Sequence, residues 1–301
     1  VGLGASVIDI LQLVDHYPAQ EEVLRAHELA IQGGGPVATA LVTLARLGAR
    51  TAMVDAIGDD WRGQLILQEY QNEGVCTNHV QLRQGCASPL ACVVVTEGDG
   101  SRTIVASYGT APELTPDEVP RAVIESAKIL HVNGRHWEAC LQACVWAREA
   151  GVQVSMDGGA SLFRPELRQL VPMTDICIVA RDFAEQYAGE TDVGKAANAL
   201  LNEGPYLVVI TDGTRGSWVY SRNGQGFHQP AYLLPDVVDT TGCGDSYHGA
   251  FLFGLLKGMD LHETAAIASA VAALNTQYLG GRGGLPTLEQ ARSFLAALWT
   301  L

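Results

Sequence analysis

The sequence predicts a single α/β domain, a doubly wound, mostly parallel sheet with helices on both faces, carrying a small β-sheet as a lid. Three observations predict it. Apolar runs that end in Gly or Asp alternate with stretches of helical period along most of the chain. The alternation breaks at two places, about residues 11–32 and 88–107, where strand-like runs follow one another with no helix between them. The chain has 301 residues, of which 48% are hydrophobic and 17% charged, enough to bury a large core and too apolar for disorder.

The expected strands are Val1–Ala5, Thr51–Ala56, Ile129–Val132, Val152–Met156, Ile176–Val179 and Tyr206–Thr211. The expected helices are Val37–Leu47, Gly63–Glu73, Trp137–Ala150, Lys195–Leu201, Ser246–Lys257 and Leu261–Leu274. In the second irregular region, Leu90–Thr96, the turn Glu97-Gly98-Asp99-Gly100 and Arg102–Ala106 read as a β-hairpin. Strands inserted into an α/β domain form a separate small sheet, suited to covering a site or to pairing with a second subunit. The domain is expected to run over residues 1–301, with no repeat, low-complexity tract or linker.

The formal net charge is −14, which repels nucleic acid and anionic membranes and excludes both as partners. It also means that an anionic substrate needs local dipoles and a few cations to hold it. The seven cysteines include no CxxC pair, as expected of free thiols in a reducing cytoplasm. No signal peptide and no apolar run of membrane-spanning length is present, so a cytoplasmic location is expected. Val1 already stands inside a strand-like run, from which we expect a few native residues, the initiator Met among them, to precede this numbering.

The strongest chemical signal is Asp239-Thr240-Thr241-Gly242-Cys243-Gly244-Asp245, directly before a helix. Backbone N–H groups of Gly242, Cys243 and Gly244 can converge beside the positive end of the helix dipole, an arrangement that holds phosphate or a developing phosphoryl transition state. Asp245 at the helix start is either a cap or a base for an attacking hydroxyl, and spacing alone leaves both open. Other glycine-rich chemistries fail on spacing. No Gly-x4-Gly-Lys-Ser/Thr run exists, His248 stands where a nucleophile elbow needs its last Gly, and Val7 occupies the third Gly position of a dinucleotide fingerprint. His131, His136 and His248 read as structural histidines, since no two stand at a metal-motif spacing.

Asp239–Asp245 resembles the DTxGAGD signature of the ribokinase-like (PfkB-type) sugar kinases, with Cys243 in place of the usual Ala. Gly33-Gly34-Gly35-Pro36-Val37-Ala38-Thr39-Ala40, followed by Leu44-Ala45-Arg46-Leu47-Gly48, resembles that family's glycine-rich sugar-binding segment. Gly58-Asp59-Asp60-Trp61-Arg62-Gly63 resembles its IGxDxxG stretch, and the motifs recur in the family's order over about residues 1 to 286.

The resemblance implies an ATP-dependent phosphotransferase acting on a sugar hydroxyl, with Asp245 as general base and Gly242, Cys243 and Gly244 as the anion loop. It implies substrate binding by Asp9, Gly34, Gly35 and the position of Thr39, and nucleotide contacts from Thr240 and from Thr211, Gly213 and Gly216 in a TxGxxG-like loop. It implies Mg²⁺ beside ATP, and K⁺ held by backbone near Asp239, Thr241 and the Gly280–Gly284 loop. A homodimer through the lid is expected.

The departures are specific. Thr39 replaces the Asn that many members place on the sugar, and neither residue of the NxxE motif stands in Ala180–Phe183; Asp182 and Asp157 lie nearby without matching it. The Gly-Gly-Gly-Pro and Gly-Gly-Arg-x-Gly-x-Pro patterns resemble the sulfofructose kinase and ketohexokinase branch, as does Arg135 in Asn133-Gly134-Arg135-His136. The Lys and Asn that grip the sulfonate in the sulfofructose kinase align here with Val23 and Ser107. A nucleoside kinase, and a catalytically silent sugar- or nucleotide-binding regulator, are the rival functions.

Overall fold

The structure is a computed structural model that describes residues 1–98, 100–160, 162–224 and 226–298. Asp99, in the expected hairpin turn, lies outside the described residues. The strands are β1 Gly2–Leu3, β2 Val7–Val14, β3 Glu28–Gly34, β4 Thr51–Gly58, β5 Val75–Arg83, β6 Leu90–Thr96, β7 Arg102–Ser107, β8 Ile129–Val132, β9 Gln153–Gly158, β10 Ile176–Ala180, β11 Leu207–Thr211, β12 Ser217–Ser221 and β13 Phe227–Gln229. The α-helices are α1 Pro36–Arg46, α2 Trp61–Asn72, α3 Arg121–Glu125, α4 Trp137–Glu149, α5 Arg181–Ala188, α6 Val193–Glu203, α7 Cys243–Leu256, α8 Leu261–Asn275 and α9 Leu288–Leu298.

Nine strands form one sheet in the order β13-β12-β11-β10-β9-β8-β1-β4-β5, parallel from β11 to β5 and antiparallel at the β12 and β13 edge. The pleat sends alternate residues to two cores. On β10, Cys177 and Val179 join one with Ala143 of α4, Phe183 of α5 and Leu200 of α6. Ile176 and Ile178 join the other with Leu41 of α1, Phe251 of α7 and Ala268 of α8. This is the doubly wound arrangement. Helix α7 is buried on nearly all sides, and Gly249 lets it press against α1, since a Cβ there would stand 2.4 Å from the Ala40 carbonyl oxygen.

The lid is a four-stranded sheet, β3-β2-β6-β7, in which β2 and β6 are parallel and both outer pairs antiparallel. Leu11, Ala91, Val93 and Val95 face inward and pack with Leu279 of the C-terminal loop. The register sets Ile31, Ile10, Cys92 and Val105 in one row on the other face. The lid begins at Val7 and its second strand runs to Gly34, so the region expected at 11–32 is two strands joined by a loop.

Strand β5 and helices α5 and α9 were not expected from the sequence. Along β5 only Val75 is buried, so its side chains show no core alternation. Among the described residues, no helix is long and apolar enough to cross a membrane.

Candidate active site

The site is assembled where the lid meets the C-terminal edge of the large sheet. Asp9 is carried by β2 and is 9% exposed. Its carboxylate lies against Gly34 so closely that a Cβ on that glycine would stand 2.1 Å from Oδ2. Burial pushes the Asp9 carboxyl up to about 6, against the opposing pull of the Arg282 guanidinium; the charges of Asp245, Glu69 and Asp239 add to the rise.

Arg282 sits at the centre and is 3% exposed. Its Nη1 donates to Glu69 of α2 at 2.6 Å, its Nη2 to the Gly34 carbonyl oxygen at 3.1 Å and its Nε to the Thr39 hydroxyl at 3.2 Å. Its backbone N–H donates to Gln32 Oε1 at 2.9 Å, and its guanidinium lies over the Tyr70 ring. Thr39 is thus buried behind Arg282, and its hydroxyl serves as that residue's acceptor. Arg282 was not among the residues expected at the site. Its partners lie 213 to 250 residues away along the chain, and the available signal was its place inside a five-residue glycine-rich loop.

Helix α7 begins at Cys243, with Gly242 at the N-cap position in the left-handed region (φ 69°) and no side-chain cap. A Cβ on Gly242 would stand 2.5 Å from Gly281 Cα. Asp245 therefore sits in the first turn without capping it, next to amides that have no acceptor within the helix. The Cys243 amide leans back on the Thr240 carbonyl oxygen at 3.4 Å. Asp245 is half-buried. Desolvation pushes its carboxyl up to about 7, the charge of Asp157 adds to this, and Arg102 and Arg282 oppose it. Two arginines, one from the lid and one from the C-terminal loop, supply the local positive charge that an acidic protein needs around a phosphate.

Asp239 is fully buried. Its Oδ1 accepts from the Thr241 amide and hydroxyl, both at 2.7 Å, and its Oδ2 from the Gly280 amide at 2.8 Å. This carboxylate ties the anion loop to the C-terminal loop. The Thr240 hydroxyl donates to the Gly100 carbonyl oxygen and accepts from Arg102 Nη1, each at 3.0 Å, so the lid hairpin is seated on the same loop.

Thr211 ends β11, Gly213–Arg215 makes a short 3₁₀ turn, and Gly216 (φ 91°) leads into β12. A Cβ on Gly216 would stand 2.1 Å from the Gln229 carbonyl oxygen, so the turn requires glycine. Asp212 in this turn accepts from Arg181 at 2.9 Å and from Arg215 at 2.6 and 2.7 Å. Arg181 occupies the stretch where an NxxE motif would stand. Among the described residues of that stretch no Asn–Glu pair stands in the NxxE positions. Arg135, in the loop before α4, donates to Glu113 at 2.6 Å, and Glu113 also accepts from the Trp137 amide at 3.0 Å. Behind α7, His131, Asp157 and His248 come together in the interior.

The structure thus gathers Asp9, Gly34, Gly35, Thr39, Asp239, Thr240, Thr241 and Asp245 about Arg282 and Arg102. Thr211, Gly213 and Gly216 lie together at the β11–β12 turn, and Arg135 stands in its own loop with Glu113.

Comparison with known proteins matches residues 1–288 to the pfkB family carbohydrate kinase model. The 5-dehydro-2-deoxygluconokinase of Shouchella clausii is 27% identical over 98% of this chain and 94% of its own length. The nucleoside kinase of Methanothermobacter thermautotrophicus is 26% identical over 99% of this chain and 96% of its own length. An Escherichia coli structure described as a ribokinase II in complex with ATP and Mg²⁺ superposes with a TM-score of 0.85 at 20% identity, covering 98% of each chain, and shares the fold. The glycine loop leading into α7, with its aspartate, arginines and β lid, is therefore part of a chain that belongs to the pfkB carbohydrate kinase family, phosphotransferases with an alcohol group as acceptor.

Proposed function

We propose that this chain is an ATP-dependent sugar kinase in which Asp245 removes the proton of a primary sugar hydroxyl as that oxygen attacks the γ-phosphorus. The observation that carries the proposal is Asp245 itself, which stands in the first turn of α7 without capping it, with its carboxyl raised to about 7, the range suited to a base near neutral pH. The sugar lies between the lid and the sheet, where Asp9 accepts from its hydroxyls and Gly34 and Gly35 allow backbone to approach. The amides of Gly242, Cys243 and Gly244 stabilise the equatorial oxygens; one such donor contributes ~3 kcal/mol in other enzymes. ATP lies along Thr211, Gly213 and Gly216 and reaches Thr240. Mg²⁺ neutralises its phosphates when bound. Arg282, with Thr39 behind it, braces Asp9 and Gly34, and Arg135 faces the far end of the acceptor.

K⁺ is held by backbone carbonyls around Asp239 and Thr241, because the Asp239 carboxylate is already committed to the Thr241 and Gly280 amides. The enzyme is one domain over residues 1–301 with the lid inserted in it, and it works as a homodimer paired through the lid.

A nucleoside acceptor is the second reading, favoured by the likeness to the archaeal nucleoside kinase. ADP release across a panel of ketoses, aldoses, sugar acids and nucleosides, each run with K⁺ and with Na⁺, tests the proposal. Sugar-dependent release supports it. Release with nucleosides alone contradicts it, as does tight sugar or ATP binding without turnover. Equal rates in both salts remove the K⁺ site.

A further inference from the structure

We propose that His131, Asp157 and His248 form a binding site for one divalent transition metal ion of the zinc class, seated beneath the first turn of α7 and separate from the Mg²⁺ that accompanies ATP. His131 comes from β8, Asp157 from the neighbouring β9, and His248 from α7, three residues after Asp245. All three are at most 2% exposed. His131 Nε2, His248 Nδ1 and both Asp157 oxygens are buried with no hydrogen-bond partner of good geometry. One donor atom from each residue lies within 4.8 Å of the other two, and His248 Nδ1 stands 3.6 Å from Asp157 Oδ2. Orphaned polar atoms on three side chains gathered this closely in a protein interior are costly, and a polar occupant between them would relieve that cost.

The donor chemistry favours a cation over a water molecule. His131 Nδ1 lies 3.2 Å from the Ser155 hydroxyl. With its proton donated there, Nε2 presents a lone pair to the cluster, as a supporting hydrogen bond does for a metal-bound imidazole. The cluster then offers mainly acceptors, and one water has two hydrogens to give. A cation at about 2.0–2.1 Å from each donor requires tetrahedral donors roughly 3.3 Å apart. The His248 Nδ1–Asp157 Oδ2 pair already stands near that spacing, and no pair has to close by more than about 1.5 Å. Two imidazoles and a carboxylate select zinc, cobalt or nickel over Mg²⁺, which prefers oxygen donors and retains water. The ion would pin β8, β9 and α7 together under Asp245, whichever acceptor the enzyme uses.

The test is titration of chelator-treated protein with Co²⁺ alone. The expected result is visible d–d absorption that saturates at one equivalent, shows no thiolate charge transfer and is displaced by Zn²⁺. His131→Gln and His248→Gln should each weaken binding by at least ~10-fold, and Zn²⁺ should raise their melting temperatures less than that of the wild type. The exposed group Asp15, His27 and Glu97 is the competing surface site, and His27→Gln should leave the signal unchanged. Absence of d–d absorption, survival of full affinity in both buried-histidine variants, or loss in His27→Gln overturns the proposal. Should the buried variants fail to fold, anomalous scattering from wild-type crystals soaked in Co²⁺ decides it: a peak among the three side chains supports the site, and its absence there refutes it.

Discussion

Asp245 and Asp9 are both carboxyls raised by burial, to about 7 and about 6, and both must be ionised to do what is proposed for them. Lowering pH through 7 protonates the base, and lowering it further through 6 protonates the sugar's acceptor. In enzyme freed of transition metal, kcat/KM should therefore be level above about pH 8, fall below pH 7 and steepen below pH 6. A rate that stays level down to pH 5 would show that neither carboxyl titrates in the working range. The motif Asp239–Asp245 was legible because its parts are contiguous, whereas its electrostatics were not. Arg102 reaches Asp245 from the lid and Arg282 from the C-terminal loop, and no local pattern ties either to the anion loop.

Among elements, the short loop Gly280–Gly284 does the most joining. Through Arg282 it connects β3, α1 and α2, and through the Gly280 amide it holds Asp239. Arg282→Met keeps the side-chain length and removes the charge. Glu69 then loses its partner, but its side chain is 23% exposed, so the cost should be roughly 2–4 kcal/mol, below that of a fully buried orphan. Thermal unfolding should show a lowered midpoint, and the KM for sugar should rise more than kcat falls, because Asp9 loses its nearest cation. An unchanged midpoint and KM would make the network ornamental. Elements with a buried face, such as α1 and β10, were legible because apolar spacing reports burial. Strand β5 was not, since its ladder to β4 is made by backbone while its side chains are mostly half-exposed. The cluster of His131, Asp157 and His248 escaped for another reason: three separate elements each contribute one residue, so no spacing in the chain announces it.

For the whole molecule, the lid is both cover and candidate interface. Its inner face packs on Leu279, and its outer face carries the row Ile31, Ile10, Cys92 and Val105, of which Ile31 is 51% and Val105 66% exposed. Such a row on an open sheet suits pairing with a second lid. Light scattering on the eluting wild type should give the dimer mass, and the double variant Ile31→Glu with Val105→Glu should give the monomer. A monomeric wild type at micromolar concentration would contradict lid pairing. The two-sided sheet was the part of the architecture most visible in advance, because alternation of apolar runs with helical stretches permits few other folds.

If Asp245 takes the acceptor's proton, the rate of sugar-dependent ADP formation by Asp245→Asn, measured beside the wild type at saturating ATP, reports the loss of that base. The amide keeps the shape of the side chain and removes the base. The predicted result is a kcat lowered by roughly 10²–10⁴, with the melting temperature and ATP affinity little changed. A folded variant that turns over within about threefold of the wild type would contradict the account, since a general base is normally worth far more than that.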